Sequence, residues 1–278
     1  MEYGDNIKFQ KKSQESVCFY QEEEITFKNK EAGITLSGTL TIPRGFPSFP
    51  SVIFIAGSGP NDRNASKEGH QTFSILADYL SRNGIGTLRF DKRGCGTSSG
   101  NFEMATSLDF LSDAMAAVEY MKSREDVNER KIGVLGHSEG GMIASMIAQN
   151  VSDLAFIVMM VSPAVNGVEI LLDQCSRIAR ALGESENVIC EGSKHLSRVC
   201  DIIQKEKGTQ KVKQEINALH KEFVAQFSRE SIFSDATLEV VKRNTSKRIY
   251  QVCSILSQGQ MKIEHIAIPE GNIVEIVA

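Results

Sequence analysis

Between residues 52 and 161, short apolar runs alternate with helix-patterned segments, and this alternation restricts the fold more than any other feature of the chain. Val52-Ile53-Phe54-Ile55-Ala56, Gly86-Thr87-Leu88-Arg89-Phe90, Ile132-Gly133-Val134-Leu135 and the run from Ala155 to Val161 have the look of strands in a covered sheet. Between them, three apolar sets recur at helical spacing: Phe73, Leu76, Ala77 and Leu80, then Leu108, Leu111, Met115 and Val118, then Met142, Ile143, Met146 and Ile147. Repeated strand–helix–strand units close by right-handed crossovers, so the pattern predicts an α/β chain with a mostly parallel sheet covered on both faces. Upstream, Val17–Phe27 and Ile34–Ile42 suit two strands separated at Glu31-Ala32-Gly33, which predicts an antiparallel hairpin at the sheet edge.

After Pro163 the alternation stops. From about Val168 to Ser257 the chain is charged, poor in glycine and helix-patterned, with one stripe of Leu196, Val199, Cys200 and Ile203. A second stripe of Val212, Ile216, Leu219, Phe223 and Phe227 has one apolar face that must be buried, and we expect it to pack over the sheet as a lid. The reading therefore divides the chain into a loose leader (1–16), an α/β core (17–165), a helical lid (166–260) and a short strand-like segment (261–278).

The nucleophile candidate lies where the third apolar run meets its helix. Gly136-His137-Ser138-Glu139-Gly140 fits the pattern G-x-S-x-G, and the strand before it and the amphipathic helix after it are the setting that pattern requires. A turn this sharp leaves no room for side chains at its glycines. It lifts the Ser138 hydroxyl clear of the sheet and sets it at a helix N-terminus, where developing negative charge is favoured. Acyl transfer also needs donors for an oxyanion, each worth about 2.7–4 kcal/mol in the transition state. The backbone N–H of Glu139 is one candidate. The other is that of Ser58, in Gly57-Ser58-Gly59-Pro60, where glycines allow close approach of backbone to a substrate.

Three ordered motifs carry a resemblance. Gly57-Ser58-Gly59-Pro60-Asn61-Asp62-Arg63, Phe90-Asp91-Lys92-Arg93-Gly94-Cys95-Gly96-Thr97-Ser98 and the Ser138 pentapeptide together resemble the α/β-hydrolase superfamily, in particular its bacterial esterase and serine-aminopeptidase-like branch. The resemblance covers roughly residues 17–165. It implies an α/β-hydrolase fold with a helical lid and hydrolysis of a carboxylic ester or related acyl group, with no cofactor and no metal. Asp62, Arg63, Asp91 and Arg93 are expected to brace the site as ion pairs.

The C-terminal part departs from that family. Its acid and histidine would follow late strands, yet beyond Val165 only Asp173, Asp201, Asp235, His195, His220 and His265 are available. Of these, Asp173, Asp201, His195 and His220 fall in helical patterns, so they read as surface or packing residues. His70 reads as a helix-start residue, and His137 as the variable position of the turn, its ring directed away from Ser138. The last two strands and the closing helix are not recognisable, as though the C-terminus were truncated or diverged. His265 is the one fallback base, with Glu264 or Glu270 as neighbouring acids, and weak turnover is the expectation. The alternative function is a catalytically impaired or truncated homologue that binds an acyl or small apolar ligand.

Composition narrows the partners. A net charge of −4 argues against nucleic acid, whose readers carry a basic excess. No run reaches the roughly 18 apolar residues of a membrane span, and the acidic, polar start lacks a secretory signal pattern. The six cysteines show no metal-ligand or disulfide spacing, so reduced thiols and a cytoplasmic location are expected, while a small-molecule ester or acyl substrate is what the resemblance implies.

Overall fold

The computed structural model describes residues 18–165, 167–205 and 209–228. Two long strands, β1 (Tyr20–Asn29) and β2 (Ile34–Pro43), form the expected hairpin, paired antiparallel from Tyr20 opposite Pro43 to Asn29 opposite Ile34. Then follow β3 (Phe49–Ile55), a two-residue ribbon of β4 (Ser66–Lys67) and β5 (His70–Gln71), and α1 (Thr72–Arg82). The chain continues through β6 (Gly86–Phe90), α2 (Ser107–Lys122), β7 (Val127–His137), α3 (Glu139–Asn150) and β8 (Phe156–Met160). The spatial order of the main sheet is β1-β2-β6-β3-β7-β8. The pairings β6–β3, β3–β7 and β7–β8 are parallel, while β2 meets β6 antiparallel.

The alternation of side chains along β3 shows why this sheet needs cover on both faces. Val52, Phe54 and Ala56 pack with Phe73 and Ala77 of α1, whereas Ile53 and Ile55 join Ala114, Ala117, Ile143 and Ala144 of α2 and α3. All are buried. Each large aliphatic or aromatic side chain so withdrawn from water contributes about 1.5–3 kcal/mol. Helix α2 begins in a capping box: Thr106 Oγ1 accepts from the Asp109 N–H, and the Asp109 carboxylate accepts from the Thr106 N–H. The small ribbon, which sequence reasoning did not anticipate, reverses at Glu68 and Gly69, both at positive φ as a tight hairpin turn demands.

Beyond the sheet stand α4 (Gly167–Ala181), α5 (Glu186–Lys205) and α6 (Thr209–Ser228). Here one expectation is corrected. The buried positions Val212, Ile216 and Leu219 of α6 pack with Leu196, Val199, Cys200 and Ile203 of α5, and with Val168, Leu171, Leu172 and Cys175 of α4. The stripe is thus covered by its own helical neighbours, because three amphipathic helices can close a small core among themselves. Phe223 stacks on His195 with ring centroids 4.2 Å apart; the Phe227 side chain is outside those described. No described helix is long and apolar enough to cross a membrane. The leader 1–16, the rest of the expected lid from 229 to 260, and the segment 261–278 lie outside the described residues.

Candidate active site

Ser138 stands between the last residue of β7 and the first of α3, with φ 53° and ψ −117°. A non-glycine residue held there stores about 1–3 kcal/mol of backbone strain, which the surrounding structure must impose. Two hydrogen bonds with the end of β8 and the residues just after it do so. The Ser138 N–H donates to Met160 O at 2.9 Å, and Ser162 Oγ donates to Ser138 O at 3.1 Å. The flanking glycines are steric necessities: a Cβ at Gly136 would fall 2.0 Å from Gly140 O, and one at Gly140 would fall 2.1 Å from Ile55 O. Gly140→Ala is therefore expected to cost about 1–3 kcal/mol or more through forced backbone displacement. Thermal unfolding would check this, and an unchanged melting temperature would mean that α3 is not pressed against β3.

The loop after β3 comes up against this turn. A Cβ at Gly57 would meet Ser138 Cβ at 3.1 Å and His137 Nδ1 at 3.0 Å. Asn61 ties the loop together, its Nδ2 donating to Gly57 O at 2.9 Å, Ser58 O at 3.1 Å and Gly59 O at 3.0 Å. The Ser58 N–H has no acceptor among the described residues. Glu139, bearer of the other candidate amide, is the first residue of α3, and its carboxylate is engaged on both oxygens. Lys92 Nζ reaches Oε2 at 3.2 Å, and Ser107 Oγ donates to Oε1 at 2.5 Å.

Lys92 is the residue that sequence reasoning missed. It is buried, donates to Gly57 O at 2.6 Å and lies 4.1 Å from the ring centroid of Phe110. Burial pulls its amine below the ordinary lysine range, with Glu139 opposing that shift. The available signal was its place in Asp91-Lys92-Arg93, three consecutive charges directly after a fully buried strand.

Arg63, Asp91 and Arg93 brace these loops as ion pairs, as expected, whereas Asp62 does so through backbone N–H groups. Asp91 accepts from the Arg63 side chain (Nη2 at 2.8 Å), the Arg63 N–H (2.8 Å) and the Thr97 N–H (3.2 Å). Burial pushes its carboxyl up, but these donors prevail and hold it below the usual carboxylate range. Arg93 is clamped to Asp113 through Nε at 2.7 Å and Nη2 at 2.9 Å, and to Asp109 at 3.0 Å. Asp62 accepts from the Asn64 and Ser66 N–H groups and shapes the turn that follows.

The described histidines make no hydrogen bond to Ser138. His195 of α5 and His220 of α6 lie in the helical block, ring centroids 5.9 Å apart, and burial together with the His220 charge lowers His195 to about 4. Asp173 pairs with Arg177 on the surface of α4, and Asp201 is exposed on α5. His70 sits in the ribbon, its Nδ1 3.1 Å from Thr72 Oγ1 at the start of α1. His137, held low by burial and by the charge of Lys67, lies beside Gly57. None of these four has a hydrogen bond to Ser138 among the described residues. Asp235, His265, Glu264 and Glu270 are outside the described residues, among which no cluster of His, Cys, Asp and Glu could hold a metal ion.

A family model described as serine aminopeptidase, S33, matches residues 67–248. Esterase EstD of Thermotoga maritima is 32% identical over 169 residues, covering 61% of this chain and 39% of that protein. An uncharacterized protein of Pseudomonas aeruginosa, PA2218, is 33% identical over 132 residues, covering 46% of this chain and 33% of that protein. The chain thus spans two fifths or less of the length of these curated relatives. Among solved structures, the Pyrococcus furiosus esterase Pf2001 aligns at 21% identity and a TM-score of 0.47, over 61% of this chain and 59% of that one.

Proposed function

This chain belongs to the serine aminopeptidase, S33, family within the α/β-hydrolase superfamily, and from that premise we propose that it hydrolyses carboxylic esters through an acyl-enzyme on Ser138. The observation that supports this most is the strained backbone of Ser138 at a strand–helix junction, with the Gly57 loop against it. Such strain at a half-buried serine between strand and helix is characteristic of a nucleophile elbow. In the proposed reaction Ser138 Oγ adds to the carbonyl carbon while a base takes its proton. The amides of Ser58 and Glu139 hold the oxyanion, and the alcohol leaves with the proton. Water then releases the acid. His265 is the candidate for the base: His195 and His220 lie against each other in the helical block, His70 sits in the ribbon before α1, and His137 has no hydrogen bond to Ser138 among the described residues. The helical block α4–α6 would serve as the lid over an apolar acyl site, in a core and lid divided near residue 165. A cytoplasmic location belongs to the same proposal, on the strength of six cysteines without pairing pattern.

The choice of an ester over an amide follows the name of the Thermotoga relative, an esterase. The competing reading, a homologue that binds an acyl or small apolar ligand without efficient turnover, is favoured by the lack of a histidine bonded to Ser138 among the described residues. Hydrolysis of a chromogenic short-chain ester by the purified chain separates the two. Weak turnover above the buffer rate is the expected result; a sigmoid pH–rate profile near pH 6.5, the ordinary histidine range, lost in His265→Ala would show instead that His265 serves as an efficient base. Ligand binding with no hydrolysis above the buffer rate would leave the binding reading standing.

A further inference from the structure

Two residues from different elements grip one carbonyl oxygen beside Ser138. Gly57 O accepts from Lys92 Nζ at 2.6 Å and from Asn61 Nδ2 at 2.9 Å. Asn61 is itself tied to the Lys92 backbone, its carbonyl accepting the Lys92 N–H at 3.2 Å. No peptide bond among the described residues is cis. In a trans peptide the C=O and the N–H of one plane point in opposite directions. Holding Gly57 O inward therefore turns the Ser58 N–H outward, and two donors on that oxygen, one of them charged, draw electron density from the same amide and strengthen it as a donor. Lys92 also reaches the carboxylate of Glu139, whose N–H is the other candidate donor. A single buried ammonium thus ties the two backbone segments that would hold an oxyanion.

We propose that Lys92 and Asn61 are positioning residues for the oxyanion site: by holding the Gly57 carbonyl they aim and polarise the Ser58 amide, and Lys92 fixes its separation from Glu139. The proposal rests on the serine mechanism above and goes beyond it by assigning residues that touch neither substrate nor nucleophile. An interaction that strengthens only as the oxyanion forms affects the chemical step and leaves ground-state binding largely unchanged.

The test uses the full chain and an alkyl fluorophosphonate probe, which phosphonylates a nucleophilic serine with loss of fluoride through a transition state that places negative charge on the phosphoryl oxygen. The limiting labelling rate and the probe's reversible binding constant are measured together with the melting temperature. Lys92→Met is expected to lower the limiting rate about 10- to 100-fold, and Asn61→Ala about 3- to 10-fold, with the binding constant within about twofold. Should Lys92→Met fail to fold with Glu139 unpaired, the charge-balanced Lys92→Met/Glu139→Gln variant and the loop variant Asn61→Ala decide. Wild-type labelling rates in folded Lys92 and Asn61 variants would overturn the proposal. A wild-type chain labelled at a residue other than Ser138 would instead overturn the serine reading beneath it.

Discussion

Ser138→Ala is expected to lower ester hydrolysis by about 10³-fold or more, because a nucleophile acts with its base and oxyanion donors as one unit. Alanine adopts the same backbone conformation at the same strain, and the lost hydroxyl makes no capping hydrogen bond to the helix it begins. Stability should therefore change by no more than about 0.5 kcal/mol. Initial rates on a chromogenic ester and a calorimetric melting curve, taken on the same preparation, check both parts. Hydrolysis at the wild-type rate would eliminate Ser138 as the nucleophile. A collapse in melting temperature would show instead that the hydroxyl supports the turn.

The second large effect is on stability. Asp113 is nearly inaccessible and receives two hydrogen bonds from Arg93 and one, at 2.8 Å, from Asn29 Nδ2. Asp113→Ala would leave the Arg93 guanidinium, itself only 8% exposed, with the partly exposed Asp109 as its one remaining carboxylate. Removing one partner of a buried pair costs about 3–5 kcal/mol, because the surviving charge keeps its desolvation penalty without its compensation. For a chain of this size that lowers the melting temperature by roughly 10 °C. Denaturant titration of the two proteins is the check, and a loss below about 1 kcal/mol would mean that water reaches Arg93. The site would feel the change, since Arg93 directly follows Lys92 in the chain.

Much of this fold was legible before any coordinates. The run Val52–Ala56 and the helical spacing of Phe73 to Leu80 register short-range geometry, in which a side chain's direction depends on its own backbone and a period of two or 3.6. The same holds for Ser138. Gly136 and Gly140 are compelled by contacts within five residues or with the adjacent strand, so a pentapeptide and its flanks suffice to reveal the turn. What the spacing could not show was which strand lies beside which. Strand β6 enters between β2 and β3, and that placement brings Asp91, Lys92 and Arg93 under the two loops of the site.

The correction at α6 has the same origin. An apolar stripe states that Val212, Ile216 and Leu219 must be buried, yet burial is non-directional and names no partner, so the sheet and the helices α4 and α5 satisfied it equally until the chain was seen in three dimensions. His195 and His220 read as surface or packing residues from their helical spacing, but the contacts of His195 with His220 and with Phe223 span two helices and leave no trace in either. Lys92 is the sharpest case. As a letter in the sequence it is one more charge in a charged motif; it becomes a tie between Gly57 and Glu139 because residues 35 and 47 positions away converge on its ammonium, and convergence over such separations depends on strand order, which no local period encodes.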